Sequence, residues 1–255
     1  MTTNRENGSL YTKITEGVAT VEFGHPASNS FPGELLERLQ RELNKLSEDE
    51  EVKVIILRSE GEKAFCAGAS FDELLAVENM QQGKLFFSGF ANVINAMRSC
   101  KKLIIGRIHG KTVGGGVGLA AACDYAFATE HAAIKLSELS IGIGPFVIAP
   151  AIERKMGVGA LAELTLAAHE WKNAYWAKEK GLYARVFENT SEMDKELEFF
   201  SRKLAGYNPA ALYEMKKVLW EGTENWSQLL QERAAISGEL VLSDFTRKAL
   251  AQLKK

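Results

Sequence analysis

Residues 108–124 read IHGKTVGGGVGLAAACD, and the fold prediction starts from this stretch. An apolar, strand-like run from Leu103 to Ile108 leads into it, and a short helical pattern of small residues follows its glycines. Three consecutive glycines, Gly114 to Gly116, permit backbone conformations and close approaches that a Cβ would block. Because the first N–H groups of a helix lack partners within it, this junction predicts a main-chain site for a negatively charged oxygen.

The composition is that of a globular protein. The chain has 255 residues, of which 46% are hydrophobic, and this favours one domain or one domain with an appendage. A net charge of -2 excludes bulk attraction to nucleic acid or to an anionic membrane. The polar start lacks a signal core, and no apolar run approaches the roughly 18 residues of a membrane span. Three cysteines in no metal-like spacing favour free thiols, so we expect a cytoplasmic protein.

Strand and helix patterns alternate over the first 190 residues, which predicts the α/β class. After about Ser191 the pattern becomes helical only, and the helices are predicted at 191–205, 209–220 and 226–253. Two further helices are expected at about 147–156 and 158–168. Because no Gly/Ser linker separates the two parts, we expect the tail to pack on the body or on neighbouring subunits.

Common nucleotide and metal motifs are excluded by spacing. A dinucleotide fingerprint that starts at Gly114 needs a glycine where Leu119 stands. A P-loop that ends at Lys111 needs a glycine at Ile105, and Gly106 is one position off. The four histidines fall in no paired metal spacing, so we expect no metal site and no histidine chemistry.

A thioester is a suitable ligand for the main-chain site. Its carbonyl oxygen gains negative charge when the α-carbon is deprotonated, and two converging N–H groups stabilise that enolate. One donor is expected from Gly114–Gly116, and the other from Gly68–Ala69, which also follows a strand and precedes a helix. Alternatively, the glycines only let a helix pack closely on a sheet, and the residues alone leave both interpretations open.

Three segments occur in order: KAFCAGA at 63–69, GGGVGLA at 114–120 followed by Cys123–Asp124, and LSE at 136–138 before Ile141–Gly142. Together they resemble the enoyl-CoA hydratase/isomerase (crotonase) family over about residues 11–187, in particular bacterial methylglutaconyl-CoA hydratase-like enzymes of branched-chain catabolism. The resemblance implies a spiral of β-β-α turns over residues 1–190 and a helical trimerisation region over 191–255. It also implies an acyl-CoA substrate, no separate cofactor, and a homotrimer or dimer of trimers.

The resemblance also implies roles for individual residues. The N–H groups of Ala69 and Gly115 would form an oxyanion hole, and Glu138 would be the catalytic acid/base. Partial burial would raise the pKa of Glu138 towards neutrality. The substrate-binding positions implied in the same way are Ala67, Gly68, Ser70, Phe71, Gly114, Gly118 and Phe146.

Several positions depart from the family pattern. Gly118 stands where well-studied hydratases carry a first glutamate, and a glycine cannot exchange a proton. Ser70 replaces a common aspartate, and Phe146 replaces a glycine and is expected to shorten or reshape the acyl pocket. The basic residue that often follows the early proline is absent, so the candidates for contact with the CoA phosphates are Lys101, Lys102, Arg107 and Lys254.

Three functional hypotheses remain. The one that the resemblance favours is an enoyl-CoA hydratase, which adds water in syn fashion to a 2-enoyl-CoA with Glu138 as the acid/base. The second is Δ3/Δ2-enoyl-CoA isomerisation, for which one carboxylate suffices because it can move a proton from C2 to C4. The third is a CoA-binding protein with little catalysis. A second carboxylate across from Gly118, such as Asp72 or Glu73, favours hydration, whereas an apolar wall there favours isomerisation.

Overall fold

The computed structural model describes residues 7–253. Its strands are β1 Ser9–Thr15, β2 Val18–Gly24, β3 Val54–Ser59, β4 Ala64–Cys66, β5 Leu103–Ile108, β6 Lys111–Val113, β7 Tyr125–Thr129, β8 Ile134–Lys135 and β9 Arg185–Phe187. Its α-helices are α1 Gly33–Glu48, α2 Phe71–Leu75, α3 Met80–Ser99, α4 Gly115–Ala122, α5 Ala149–Leu166, α6 Ala174–Glu179, α7 Thr190–Ala205, α8 Pro209–Leu219, α9 Trp226–Leu240 and α10 Asp244–Leu253. A one-turn 3₁₀ helix, Glu138–Ile141, lies between β8 and α5.

Two sheets alternate along the chain. The larger has the strand order β1-β2-β3-β5-β7-β9 and is parallel except for the β1–β2 hairpin. The smaller is parallel and has the order β4-β6-β8. Each of β3, β5 and β7 is followed by one strand of the smaller sheet and then by helix. This arrangement confirms the predicted α/β spiral of β-β-α turns.

The sequence pattern does not predict the smaller sheet. Its strands are two or three residues long, which is too short for a period of two to be recognised. They are defined by pairing with one another, as in Cys66 with Thr112 and Thr112 with Ile134. All three strands run in the same direction, so the segments that follow them meet at one edge.

One predicted helix boundary is confirmed and one predicted helix is wrong. The single helix predicted from 226 to 253 is wrong, because the structure ends α9 at Leu240 and begins α10 at Asp244. Ser243 lies in this break, and its Oγ accepts the N–H of Thr246 at 3.3 Å. The predicted boundary near residue 157 is confirmed, since Gly157 interrupts α5 with a φ of 81°.

The helical tail packs on the body. Helix α9 crosses α3 where Gly83 meets Gly238, and a Cβ on Gly83 would lie 2.7 Å from the Gly238 carbonyl oxygen. Helix α7 covers one face of the larger sheet, with Met193 and Leu197 buried against Phe127. The boundary at residue 190 stays a prediction. In the part of the chain that the structure describes, no helix has the length and apolar character to cross a membrane.

Candidate active site

The segments that follow β4, β6 and β8 line one cavity. They are Ala67–Ala69, Gly114–Gly115 and Ser137–Glu138, and the cavity has a volume of about 160 Å³. The parallel pairing of the three strands brings these segments together, although they are up to 71 positions apart in the chain. The two glycine-containing loops and the glutamate singled out by the sequence therefore share one site.

The main chain around Ala69 is held by a bridge to Phe31. The Phe31 N–H donates to the Gly68 carbonyl at 2.8 Å, and the Ser70 N–H donates to the Phe31 carbonyl at 2.9 Å. In a parallel bridge this pattern directs the Ala69 N–H away from Phe31. Ala69 lines the cavity, and its N–H is not used in the bridge to Phe31.

The second N–H group belongs to Gly115, the first residue of α4. Such an N–H has no partner within its own helix. The two loops are close together, because a Cβ on Gly68 would lie 3.5 Å from the Gly115 nitrogen. A Cβ on Gly115 would lie 2.8 Å from Cε2 of Phe90. The glycines thus serve close packing, which is compatible with the placement of a donor, and the donor role stays a prediction.

Glu138 faces the glycine loop from the 3₁₀ helix. Its Oε1 lies 2.7 Å from the point where a Cβ on Gly114 would stand. Gly114 also has a φ of 52°, so both space and backbone conformation require glycine there. The Glu138 Oε2 is buried and has no hydrogen-bond partner among residues 7–253. Burial raises the pKa of Glu138 from 4.5 to about 7, although backbone N–H groups at 138 and 137 oppose the shift.

The cavity walls are apolar. Its larger side chains are Phe71, Leu74, Phe86, Phe87, Phe90, Val113, Ile141, Ile143, Pro145, Val147 and Ile148. Glu138 is the one titratable side chain among the described residues that line it, and Ser137 and Ser237 are the other polar side chains. Sequence reasoning missed Ile148, Phe90 and Ser237, because no local pattern distinguishes them from ordinary core residues.

Ile148 occupies the place of the missing first glutamate. A Cβ on Gly118 would lie 2.7 Å from the Ile148 Cβ, so the two positions compete for one space. The alternative carboxylates are elsewhere, since neither Asp72 nor Glu73 lines the cavity. Glu73 instead accepts the Gly33 N–H at 2.8 Å. The apolar wall that favours isomerisation is therefore present.

The other predicted binding positions divide into two groups. Ala67, Gly68 and Phe71 line the cavity with Gly114, whereas Ser70 and Gly118 do not. Ser70 instead caps α2, and its Oγ accepts the Glu73 N–H at 3.3 Å. Phe146 does not itself line the cavity, but its ring packs against Gly144, about 2.6 Å from where a Cβ would stand, and Gly144 does line it. Its expected effect on the shape of the acyl pocket stays a prediction.

None of the described candidates for contact with the CoA phosphates lines the cavity. Lys101 forms an ion pair with Glu48, and Arg107 is paired with Asp194, with 2.9 Å between Nη2 and Oδ2. Neither these two residues nor Lys102 lines the cavity. Lys254 lies outside the described residues. In the described part of the chain, no three His, Cys, Asp or Glu residues are grouped to hold a metal ion.

Comparison with known proteins identifies the family. The family model described as enoyl-CoA hydratase/isomerase matches residues 13–249. The chain belongs to the enoyl-CoA hydratase/isomerase family. It is 29% identical over 230 residues to the peroxisomal Delta(3,5)-Delta(2,4)-dienoyl-CoA isomerase of Arabidopsis thaliana, which covers 84% of this chain and 81% of the relative. It is 31% identical over 201 residues to the mitochondrial methylglutaconyl-CoA hydratase of Mus musculus, covering 77% and 63%.

Solved structures of family members have the same fold. An enoyl-CoA hydratase from Bacillus halodurans superposes with a TM-score of 0.88 over 95% of this chain and 99% of that one, at 20% identity. An enoyl-CoA hydratase from Bacillus anthracis gives a TM-score of 0.77 over 91% and 90%, at 29% identity. The chain is thus a family enzyme of the hydratase/isomerase type, and the names of its relatives do not distinguish the two reactions.

Proposed function

We propose that this protein is a Δ3/Δ2-enoyl-CoA isomerase in which Glu138 is the only proton carrier. One observation carries the proposal: Ile148 fills the place beside Gly118 that a first glutamate would need. Glu138 is left as the one titratable side chain among the described residues of the cavity wall. Isomerisation needs no second carboxylate and no held water, so it suits this wall better than hydration does.

The reaction is a proton transfer between two carbons. The Glu138 carboxylate removes a proton from C2 of a 3-enoyl thioester, and the electron pair moves into the thioester carbonyl to form a dienolate. The protonated Glu138 then returns the proton to C4, the C2–C3 double bond forms, and the carbonyl is restored. A pKa of about 7 suits both steps at neutral pH, since the group must act first as base and then as acid.

Main-chain donors are proposed to hold the dienolate oxygen. Ala69 and Gly115 present their N–H groups at the same cavity wall, and Glu138 lies against the adjacent Gly114. Loss of one donor of this kind typically costs about 3 kcal/mol of transition-state stabilisation. The CoA moiety belongs to the substrate, and the protein is not proposed to need a separate cofactor or a metal ion.

Hydration of a 2-enoyl-CoA is the second candidate. Several relatives are named hydratases, and Ser137 lines the cavity next to Glu138, where its hydroxyl is placed to bind a water. An acyl group with a terminal carboxylate, as in methylglutaconyl-CoA, is less well supported. No described cavity residue is basic, so the second negative charge would be buried without a partner.

Turnover of matched substrates tests these alternatives. We expect purified protein to convert 3-octenoyl-CoA into the conjugated 2-octenoyl-CoA, seen as a rise in ultraviolet absorbance without a change in mass. With 2-octenoyl-CoA, a product heavier by one water would instead establish hydration. Acyl-CoA binding without turnover of either substrate would favour a protein with little catalysis. Incubation in D₂O provides an internal check, because hydration places a solvent deuteron at C2, whereas transfer by the single Glu138 carboxylate carries the substrate's own proton from C2 to C4.

A homotrimer, or a dimer of trimers, is the proposed assembly. Helix α8 supports it, because its buried residue is Lys216 while Met215, Val218 and Leu219 are exposed. Apolar surface on one helix is a common mark of a subunit interface. Light scattering coupled to size exclusion measures the mass, and a monomer at micromolar concentration would contradict this proposal.

A further inference from the structure

Ser237 is a buried polar residue on an apolar helix face. It lies on the stripe of α9 that includes Leu230 and Ala234, and only 1% of its surface is exposed. Ser237 is one of the residues that line the cavity described above. Its Oγ is buried and has no hydrogen-bond partner among residues 7–253. A buried hydroxyl without a hydrogen bond is energetically unfavourable, so a polar group that binds it would stabilise the complex.

Other helical serines of this chain satisfy their hydroxyls locally. Ser88 donates to the Lys84 carbonyl at 2.7 Å, and Ser99 donates to the Asn95 carbonyl at 2.8 Å, each one turn back. This bond is the usual solution for a serine within a helix. Ser237 does not form this hydrogen bond. A bond to the carbonyl one turn back therefore explains the serines at 88 and 99 but not the serine at 237.

The distance from Ser237 to the reacting centre follows from α3. The ring of Phe90 lies against Gly115, and seven residues earlier Gly83 lies against Gly238, the neighbour of Ser237. Seven residues of α-helix rise about 10 Å. The two contacts are therefore about 10 Å apart along α3, and we take this rise as the scale of the separation between Ser237 and the proposed site of the thioester carbonyl. A medium-length acyl chain spans this distance.

We propose that Ser237 is a specificity residue that binds a neutral polar group near the far end of a medium-length acyl chain. The inference rests on the proposed acyl-CoA function, in which the thioester occupies the Ala69 and Gly115 end. The group is neutral, because no described cavity residue is basic and Glu138 is the only acid. A hydroxyl or a carbonyl fits the chemistry, and a carboxylate does not.

Equilibrium binding of saturated acyl-CoA thioesters tests the inference without depending on turnover. We compare octanoyl-CoA with 8-hydroxyoctanoyl-CoA by calorimetry, and we include the 6-hydroxyhexanoyl and 10-hydroxydecanoyl analogues. We expect the hydroxyl to improve the Kd relative to the matched hydrocarbon most strongly near the eight-carbon length. One buried hydrogen bond corresponds to a change of about fivefold to tenfold. No preference for the hydroxyl at any length would overturn the proposal.

Ser237→Ala is the decisive variant. It should remove the preference for 8-hydroxyoctanoyl-CoA, and the ratio of the two Kd values should change by about tenfold towards octanoyl-CoA. Thermal unfolding checks the fold, and we expect an unchanged or slightly raised Tm because the lost hydroxyl has no partner and Ala favours helix. A lowered Tm with an unchanged Kd ratio would assign the hydroxyl a structural role.

Ser88→Ala is the matched control. Ser88 is also a buried helical serine beside α9, yet its Oγ is bound to the Lys84 carbonyl and to Gln231 Oε1 at 2.8 Å. Its replacement should lower the Tm and leave the Kd ratio unchanged. Failure of the proposed isomerase reaction is distinguishable, because turnover of 3-octenoyl-CoA is measured separately. A protein that prefers the hydroxyl but does not isomerise would retain this inference and lose the other.

Discussion

The protein buries two carboxylates in opposite ways. Asp124 is surrounded by donors: its Oδ2 accepts the Ile104 N–H at 2.7 Å and the Lys216 ammonium at 3.0 Å, and its Oδ1 accepts the Trp220 indole N–H at 2.7 Å. Glu138, in contrast, has an oxygen that is shielded from solvent and receives no hydrogen bond within residues 7–253. The same chemical group thus has its hydrogen bonds filled at one place and an oxygen left without a partner at the other, where we propose that it carries the proton.

The difference shows how one fold separates stability from chemistry. The Asp124 cluster joins the start of β5 to helix α8, because Lys216 also donates to the Lys102 carbonyl at 2.8 Å. It therefore fixes the tail to the body. Glu138 stands on a single turn of 3₁₀ helix beside the glycine loop, and its Oε2 has no hydrogen-bond partner among the described residues. Substitutions at the two acids should consequently affect different properties.

The largest expected effect is on turnover. Glu138→Gln removes the only proposed proton carrier while preserving shape, so kcat for isomerisation should fall by about 10³-fold or more. The affinity for octanoyl-CoA should hardly change, because the N–H donors and the apolar walls remain. Steady-state kinetics and calorimetry measure the two quantities. Glu130→Gln, at an exposed acid outside the cavity, is the control. Retained turnover in Glu138→Gln would rule out this residue as the proton carrier.

The second prediction concerns stability at the other acid. Asp124→Asn should reduce the free energy of unfolding by about 3–5 kcal/mol, because it leaves the buried Lys216 ammonium without its counter-ion. An amide also turns a donor towards either the Trp220 indole N–H or the Lys216 ammonium. Denaturant unfolding at fixed protein concentration measures the change. A loss below about 1 kcal/mol would show that the buried pair contributes little.

Lys216→Met is the companion variant to Asp124→Asn. It leaves Asp124 with the Ile104 and Trp220 donors, so the loss of stability should be smaller than in Asp124→Asn. Both variants should keep the kcat of the folded enzyme near its original value, since neither residue lines the cavity. A selective loss of kcat without loss of stability would contradict the separation of the two sites.

The third prediction uses pH to measure the burial of Glu138. Its pKa is about 7 in the folded protein against 4.5 for the exposed group, so the folded state binds the proton more tightly. This site therefore contributes a loss of stability as pH rises from 4.5 to 7. The unfolding free energy of Glu138→Gln minus that of the original protein should increase by roughly 2–3 kcal/mol between pH 5 and pH 8.5. A difference that does not change with pH would mean that Glu138 titrates normally.

Catalysis should change with pH in the opposite direction to stability. Isomerisation begins with the carboxylate form, so kcat/KM should rise with pH and reach a plateau above about 7. The ionised group is thus the active form and also the less stable one. If kcat/KM were flat from pH 5 to pH 8, another group would have to be the base.

The sequence predicts the site better than it predicts the cavity walls. The resemblance that the segments KAFCAGA, GGGVGLA and LSE carry assigns the proposed roles to Ala69, Gly115 and Glu138, and all three residues line one cavity. The segments do not reveal the three short strands that bring them together. Nor do they reveal Ser237, which lies 99 positions beyond Glu138 and meets the cavity through the crossing of α9 and α3.

The partners of Asp124 could not be predicted from the sequence either. Asp124 belongs to a recognisable Cys-Asp pair, but its partners Lys216 and Trp220 are 92 and 96 positions away. No periodicity connects residues at that separation. In α8 the exposed apolar residues and the buried lysine even reverse the usual pattern, so hydrophobicity alone would assign the wrong buried face. Such contacts follow from the packed tertiary structure rather than from local sequence.

The smallest expected effect is on stability at Gly118, beside the apolar wall that favours isomerisation over hydration. Gly118→Ala places a methyl group 2.7 Å from the Ile148 Cβ, so it should lower the free energy of unfolding by about 1–3 kcal/mol. In an Ile148→Gly background the same change should be nearly neutral, because the Cβ and Cγ2 that the new methyl group would meet are gone. A double-mutant cycle isolates this coupling, which we expect at about 1–2 kcal/mol. Additive effects would mean that Ile148 does not exclude a side chain at Gly118, and the argument for isomerisation over hydration would lose its support.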